Sequence, residues 1–443
     1  MPIEHIEHLR MQLRAMDQLG EDFVFVNHED AAETRPTEPG HLREISDFID
    51  GTAKELWDVN KTIHDNPELG YAEFIAHETL TKFMSRQEGW KVTPSAYGLA
   101  TAWVAVFDSG RKGPVVSFNV EMDALEGIGH ACGHNLIATA SVAGGLAVGE
   151  LLRKSELGGK VVLFGTPAEE GGGGKIKLLE AGAYRDHKVD ISLLSHPGIT
   201  KNHAYMRTSA YTAFKVEYFG REAHAAANPW LGINALDALI TAYNAISVLR
   251  QQTMPGDVVQ GNITDGGVRP NIIHAYTAGN FVVRANTQAR LSELRKKVDA
   301  CFEAGATATG ATLKVTTVQS YADHVPNRLL AAHYREHFNK LCPPDPISNN
   351  PEVDEIEGRT KASTDQGNIS YAMPSLNVGF SIPAGPGGAG PHNPGFAKAA
   401  GTKLAFENCL RVGKAMAAVG IDILGDLDLL DKVKREWKED VRQ

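Results

Sequence analysis

Short apolar segments that alternate with helical patterns constrain the fold of this chain more than any other feature of its sequence. Each segment is of strand length and rich in β-branched or apolar residues, and helical patterns at 136–153 and 174–182 lie between them. Alternating strands and helices favour a largely parallel sheet that is covered on both faces. We therefore predict the α/β fold class with a mostly parallel sheet. The predicted strands are TAWVAVF (101–107), VVSFNV (115–120), KVVLFG (160–165) and ISLLS (191–195).

The length of 443 residues exceeds what one hydrophobic core normally serves, so we expect more than one domain. A self-contained α+β pattern begins near residue 207. The chain then returns to a helix at 328–341, a loop at 351–365, a strand at 375–380 and one long amphipathic helix at 396–419. The predicted parts are an N-terminal arm (1–40), the first part of the larger domain (41–206), an inserted α+β domain (207–319) and the second part of the larger domain (320–443).

Charge and hydropathy argue against two classes of partner. The net charge of -10, with no cluster of lysine or arginine, argues against a nucleic acid. The most apolar stretch, 136–152, contains Glu150 and several glycines, which favours a buried helix and no membrane span. The N-terminus lacks the basic and apolar pattern of a signal peptide, and the four cysteines show no paired spacing. We expect a cytoplasmic protein with reduced thiols.

Side chains that suit metal ions follow three successive predicted strands. Cys132 and His134, in the segment GHACGHN, precede a helix, Glu169 and Glu170 follow KVVLFG, and His196 follows ISLLS. Each has a structural alternative: a turn, an acidic helix start, or a hydrogen-bonded histidine. Because ligands gather outside the carboxyl ends of parallel strands, the joint pattern favours a site for zinc or manganese. A further histidine, His392, lies in the glycine-rich segment GPHNPGF.

The sequence resembles a known family from about residue 45 to 420: the dinuclear-metal metallopeptidase and amidohydrolase superfamily, which includes aminoacylases, carboxypeptidases and dipeptidases. The resemblance implies a hydrolase-like catalytic domain (phosphorylase/hydrolase-like) with an inserted lid or dimerisation domain. It also implies that two divalent ions are bound, that Glu169 is the general base, and that one cysteine bridges the ions. The metal ligands that it implies are Cys132, His134, Glu170, His196 and His392.

Three segments are similar to the branch of aminobenzoyl-glutamate hydrolases and β-alanyl-lysine dipeptidase-like proteins. They are DALEGIGHACGHNL (123–136), AHAAANPWLGINALDA (223–238) and STDQGNIS (363–370). The chain departs from the branch at Glu126, where proline is usual. Ile137 stands where the wider amidohydrolase branch has a second histidine, which favours the closer branch.

Other residues gain candidate roles from the resemblance. His224 matches a histidine that stabilises the oxyanion and reaches the active site of a partner subunit, and a homodimer is implied in the same way. Asn271 and Arg284 match positions that contact the substrate carboxylate, for which a guanidinium is well suited. Asp123 either orients a ligand histidine or forms a turn. Asp365 lies near the site or is a helix cap.

These observations predict a metal-dependent hydrolase of the amide bond between an acyl, aroyl or aminoacyl group and an amino acid with a free carboxylate. The metals would activate a water molecule, and Glu169 would move its protons. The thiolate ligand Cys132 favours zinc, with manganese or cobalt as alternatives. Three interpretations compete: a broader aminoacylase acting on toxin-like amides, a catalytically silent metabolite-binding subunit, and a cysteine hydrolase that uses Cys132.

Overall fold

The computed structural model describes residues 40–442, in which ten strands form a six-stranded and a four-stranded sheet. The predicted arm at 1–40 lies almost wholly outside the described residues. Within them the chain forms two compact units: the larger consists of residues up to Thr208 together with those from Tyr321 onward, and the smaller of Ser209–Ser320.

The elements of the larger unit come from both ends of the chain. Its strands are β1 (Trp90–Pro94), β2 (Trp103–Asp108), β3 (Val115–Glu121), β4 (Lys160–Thr166), β5 (Ile191–Gly198) and, as the last strand of the chain, β10 (Ser375–Ser381). Its helices before the smaller unit are α1 (Gly40–Asp65), α2 (Phe74–Ser85), α3 (His134–Lys154), α4 (Gly174–Glu180) and α5 (Ala183–Asp186). Those after it are α8 (Arg328–Lys340), α9 (Pro351–Glu357), α10 (Gln366–Ala372), α11 (Pro394–Ala400), α12 (Lys403–Gly425) and α13 (Leu427–Asp440).

The six-stranded sheet has the order β1-β2-β4-β3-β5-β10. The neighbours β4, β3, β5 and β10 run parallel, whereas β1 and β2 pair antiparallel at one edge. Alternate residues of β4 enter different cores: Val161 and Leu163 face the core shared with α1, α3 and α12, and Val162 and Phe164 face a second core. The sheet is therefore covered on both faces, and the predicted α/β fold with a mostly parallel sheet is confirmed.

Helix α3 is the central helix of the larger core. It packs on β3, β4 and β5 and beneath α1 and α12. Among the described helices, α3 alone is long and apolar enough to cross a bilayer, but 94% of its apolar window is buried inside the protein. That burial is the property expected of a core helix.

The smaller unit contains a four-stranded sheet and two long helices. The strands are β6 (Ala210–Phe219), β7 (Val258–Asp265), β8 (Tyr276–Ala285) and β9 (Thr312–Tyr321), and the helices are α6 (Ala235–Leu249) and α7 (Gln288–Thr309). The sheet order is β7-β8-β6-β9, and β8 pairs antiparallel with β6 and β7. Phe214, Phe281 and Phe302 form the aromatic centre of its core, with ring centroids 4.8–6.0 Å apart.

Two predictions about the C-terminal part are wrong. The helix predicted at 396–419 is two helices, α11 and α12, because Thr402 caps a new helix by accepting a hydrogen bond from the Ala405 backbone N–H. The loop predicted at 351–365 begins with helix α9, in which Asn350 is the cap and Pro351 fills the first turn. Apolar periodicity continues across the break at Thr402, so it does not reveal the new helix start.

Candidate metal centre

The carboxyl ends of parallel strands bring the predicted ligands to one edge of the sheet. Strand β3 lies between β4 and β5 and pairs with both in parallel. Asp123 follows β3, Glu169 and Glu170 follow β4, and His196 lies near the end of β5. Parallel strand ends meet at the same edge, so the short sequence distance between each strand and its polar residue becomes a short distance in space.

Gly133 sets the geometry between Cys132 and His134. Its φ of +79° lies in the left-handed region, where it precedes the first residue of α3. A Cβ atom at this position would lie 2.5 Å from Cγ of Pro197. Glycine is therefore required for the helix start to approach β5, which carries His196.

The predicted ligand atoms form two adjacent groups that share one sulfur. Cys132, His134 and His196 make up one group, and Cys132, Glu170 and His392 make up the other; in each, the ligand atoms lie within 4.8 Å of one another. The Cys132 Sγ is 3.3 Å from His196 Nε2, and His392 Nε2 is 3.4 Å from Glu170 Oε1. Sulfur, nitrogen and oxygen atoms at these separations could all coordinate one common ion.

Several donor atoms of these groups are buried and have no hydrogen-bond partner. His134 Nε2 and Glu170 Oε1 are both in this state. The other nitrogen of His134, Nδ1, lies 3.1 Å from Asp123 Oδ1, and His196 Nδ1 lies 2.8 Å from the carbonyl oxygen of Pro197. If each Nδ1 donates a proton there, each Nε2 keeps its lone pair for a cation. The residues present therefore fit a metal centre.

Asp123 connects the two strand ends. Besides the contact with His134, its Oδ1 accepts a hydrogen bond from the Glu169 backbone N–H at 3.1 Å, and its Oδ2 accepts one from that of Glu170 at 2.9 Å. One buried carboxylate thus contacts the predicted ligand His134 and the backbone N–H groups of both glutamates.

The environment of Cys132 favours a ligand over a free nucleophile. Burial, and then the carboxylate of Glu170, hold the pKa of the Cys132 thiol well above its ordinary value. A nucleophilic cysteine needs neighbours that lower this pKa. A bound cation would supply the missing positive charge, because a thiol that coordinates a metal is deprotonated.

Glu169, the predicted general base, lies beside the predicted metal ligands. Its side chain is 7% exposed, and Oε2 lies 3.9 Å from His134 Nε2. Burial, and then the carboxylates of Glu121 and Asp365, hold the pKa of Glu169 well above its ordinary value. A raised pKa makes this carboxylate a stronger proton acceptor. Its backbone carbonyl accepts a hydrogen bond from the Tyr321 hydroxyl at 2.7 Å, which fixes the loop.

Two buried residues of this region, Glu121 and Lys175, were not singled out from the sequence. Lys175 Nζ lies 2.6 Å from Glu121 Oε1 and 2.5 Å from Asp365 Oδ1. The predicted residue Asp365 therefore lies next to the site, and its side chain makes no helix-cap hydrogen bond. Glu121 directly follows the predicted strand 115–120 and precedes Met122 and Asp123, and that position was the one available indication of its place at the site.

The residues that the resemblance assigned to the substrate lie in the smaller unit. His224 Nδ1 accepts hydrogen bonds from the backbone N–H groups of Ala226 and Ala227, and the Ala225 N–H donates to the Asn271 carbonyl at 3.0 Å. Arg284, on β8, has its guanidinium 4.8 Å from the ring centroid of Tyr211. The segments of His224 and Asn271 are therefore neighbours, and their roles toward the substrate stay predictions.

A cleft of about 420 Å³ opens beside Glu170. Tyr71 and Leu125 contribute to its walls, and its carboxylate-bearing lining residues are Asp123, Glu126 and Glu170. Glu126 is exposed. No lysine or arginine lines the described cleft, and Glu126 is its one carboxylate outside the candidate metal centre.

Comparisons with known proteins agree with this geometry. Residues 115–405 match the model of peptidase family M20/M25/M40. The chain is 38% identical to a mouse Xaa-Arg dipeptidase over 428 residues, which is 91% of this chain and 96% of the relative. It is 30% identical to one of the p-aminobenzoyl-glutamate hydrolase chains of Escherichia coli over 65% of this chain and 63% of the relative.

Solved structures share the fold at lower sequence identity. A dinuclear metal binding peptidase from Bacillus subtilis matches with a TM-score of 0.64 and 17% identity, over 85% of this chain and 99% of that one. An aminobenzoyl-glutamate utilization protein from Klebsiella pneumoniae matches with a TM-score of 0.61 and 18% identity, over 86% and 98%. The resemblance seen in the sequence motifs is confirmed: this chain belongs to peptidase family M20/M25/M40 and is a hydrolase of amide bonds.

Proposed function

We propose that this protein is a dinuclear metal-dependent dipeptidase that cleaves the amide bond between an aminoacyl or acyl group and an amino acid with a free carboxylate. The observation that carries the proposal is the membership of Cys132 in both candidate ligand groups, which would allow two ions to share one donor. His134 and His196 would complete the site of one ion, and Glu170 and His392 the site of the other.

The chain supplies proton transfer and orientation to this reaction. Two divalent ions would lower the pKa of a shared water, polarise the substrate carbonyl and stabilise the negative charge that develops on its oxygen. Glu169 takes a proton from the attacking water and returns it to the departing nitrogen. Asp123 orients His134 and fixes the backbone of Glu169 through its hydrogen bonds to both. In this proposal His224 stabilises the oxyanion, and Asn271 and Arg284 bind the substrate carboxylate.

The donor set favours zinc as the native metal. Thiolate is a soft ligand, and imidazole and carboxylate complete the set that zinc accepts. Manganese and cobalt are the alternatives. A reduced, cytoplasmic location would keep the Cys132 thiolate available as a ligand.

The exposed carboxylate of Glu126 supports a substrate with a basic side chain. The mouse relative of 38% identity is a Xaa-Arg dipeptidase, and Glu126 adds a carboxylate to the cleft where proline is usual in the branch. A lysine or arginine side chain of a dipeptide would complement this charge. N-acyl and N-aroyl amino acids form the second substrate class to test, since another relative is a p-aminobenzoyl-glutamate hydrolase.

We also propose a homodimer that assembles through the smaller unit. Helix α6 exposes Ile240, Tyr243 and Val248, whose exposed fractions are 43%, 38% and 75%. Strand β7 is an edge strand of the sheet and presents unpaired backbone groups. Exposed apolar side chains and an open sheet edge are each typical of a surface that is covered in an assembly.

The test is hydrolysis of a substrate panel before and after metal removal. The panel contains Ala-Arg, β-alanyl-lysine, Ala-Ala, an N-acetyl amino acid and p-aminobenzoyl-glutamate. We expect activity that a chelator abolishes and that zinc, manganese or cobalt restores. Activity that survives the chelator but not a thiol alkylator would favour the cysteine hydrolase, and metal-replete protein without any turnover would favour a silent metabolite-binding protein.

A further inference from the structure

A fully buried lysine lies between two carboxylates at the inner side of the candidate metal centre. The side chains of Lys175 and Asp365 are 0% exposed, and that of Glu121 is 1% exposed. The ammonium group is 2.6 Å from Glu121 Oε1 and 2.5 Å from Asp365 Oδ1, and Asp365 Oδ2 also accepts a hydrogen bond from the Lys175 backbone N–H at 2.9 Å. An ion pair this deep is stable only when both partners are present.

The buried cluster of Lys175, Glu121 and Asp365 contacts the candidate metal centre through Glu121. The second oxygen of Glu121, Oε2, lies 3.4 Å from His134 Nε2, the donor atom that has no hydrogen-bond partner. Oxygen atoms of Glu121, Glu169 and Asp365 lie within 4.8 Å of one another. Three buried carboxylates at this spacing repel one another, and the ammonium group of Lys175 lies in direct contact with two of them.

The position of Asp365 is fixed from the opposite side. The adjacent residue, Gln366, accepts a hydrogen bond from the Asn119 amide at 2.6 Å and donates one to the Ser375 hydroxyl at 2.7 Å. Asn119 belongs to β3, which also carries Glu121. Lys175 therefore links β3 with the start of α10, and the hydrogen bonds of Gln366 already hold these two elements together.

We propose that Lys175 is a positioning residue of the hydrolase: its ammonium group is a built-in cation that holds Glu121 against His134 and keeps Glu169 in its catalytic place. This inference rests on the proposed function of Glu169. Lys175 binds no substrate and no metal; it acts by holding the carboxylates behind the reacting groups. A displacement of about 1 Å in such a site costs about 100-fold in rate.

The experiment compares two lysine–aspartate pairs of the larger unit. The test variants are Lys175→Met and the charge-balanced double variant Lys175→Met/Asp365→Asn. The control is Lys414→Met, since Lys414 forms a hydrogen-bonded pair with Asp50 at 2.7 Å away from the metal ligands. For each protein, kcat, KM, zinc content and thermal unfolding are measured on the full chain.

We expect Lys175→Met to keep its zinc content and its KM within about threefold, and to lose kcat by about 100-fold. The double variant should regain thermal stability but keep a kcat at least about tenfold below that of the wild type, because it removes one positive and one negative buried charge without restoring the cation that holds Glu121. Lys414→Met should keep the wild-type kcat. If Lys175→Met does not fold, the double variant alone decides, and its kcat should lie at least about tenfold below that of the wild type.

A kcat of Lys175→Met within about threefold of the wild type would overturn the inference, and so would a loss of kcat that follows only the loss of folded protein. If only the double variant folds, a wild-type kcat of that variant would also overturn the inference. Failure of the proposed function is distinguishable, because the wild-type protein itself would then show no metal-dependent hydrolysis of any substrate of the panel.

Discussion

The substitution Glu169→Gln separates proton transfer from metal binding. Glutamine has nearly the same shape, and the backbone contacts of residue 169 with Asp123 and Tyr321 do not involve its side chain. Glu169 is also absent from both groups that contain Cys132. The variant should therefore fold and keep its metals while it loses the proton acceptor.

The expected loss follows from the burial of Glu169. At 7% exposure, bulk water has little access to replace the carboxylate as a base. General acid–base catalysis contributes about 10²- to 10⁴-fold, which corresponds to about 2.7–5.4 kcal/mol of transition-state stabilisation. We predict a fall of kcat in this range with a KM within about threefold of the wild-type value.

The assay is steady-state hydrolysis of the best substrate of the panel, with metal content measured by elemental analysis on the same preparation. Glu180→Gln, an exposed glutamate at the end of α4, is the matched control and should keep the wild-type kcat. More than a tenth of the wild-type kcat in metal-replete Glu169→Gln would refute the role of Glu169 as the general base. Loss of both metals would instead make Glu169 a ligand.

Three further predictions concern other parts of the larger unit. Asp123→Asn should weaken metal affinity by about 10- to 100-fold in competition with a chelating dye, because a neutral amide replaces the carboxylate that accepts from His134; unchanged affinity would contradict this. Glu126→Gln should lower kcat/KM for Ala-Arg by about fivefold and leave Ala-Ala unchanged, as expected for an exposed charge pair of about 1 kcal/mol; equal effects on both would refute a basic subsite. Asp422→Asn should lower the free energy of unfolding at pH 7 by about 3 kcal/mol, because the carboxylate contacts two buried histidines at 2.7 Å. Although burial raises the pKa of Asp422, these contacts hold it well below its ordinary value, so the stabilisation is present above about pH 4 and declines as the pH falls toward the lowered pKa; a difference that grows on acidification in urea unfolding would contradict this sign.

Most residues of the candidate site could be predicted from the sequence, because their positions after strands depend on local order alone. Cys132, Glu170 and His196 each follow a recognisable apolar strand, and parallel strands place such residues at one edge. His392 was assigned through the resemblance, and a glycine-rich segment separates it from the end of β10. Its φ of +62° and the hydrogen bond from its backbone N–H to the Ala131 carbonyl at 2.8 Å are tertiary features that a sequence pattern does not reveal.

The buried charges behind the site could not be read from local patterns. Lys175 lies in a glycine-rich helix start, where a lysine is usually exposed. Its partner Asp365 is 190 residues away in the chain, so the pair exists only after the sheet has formed. The need for glycine at position 401, between α11 and α12, also depends on a residue far away in the chain. A Cβ atom there would lie 2.4 Å from the ring of His64 on α1.

Anomalous diffraction at the zinc absorption edge, from crystals of the zinc-loaded protein, tests the shared-ligand centre most directly. We predict two peaks, each about 2.3 Å from the sulfur of Cys132, one within ligand distance of His196 and the other within ligand distance of Glu170 and His392. A single peak, or two peaks of which only one lies within ligand distance of that sulfur, would contradict the proposed dinuclear centre.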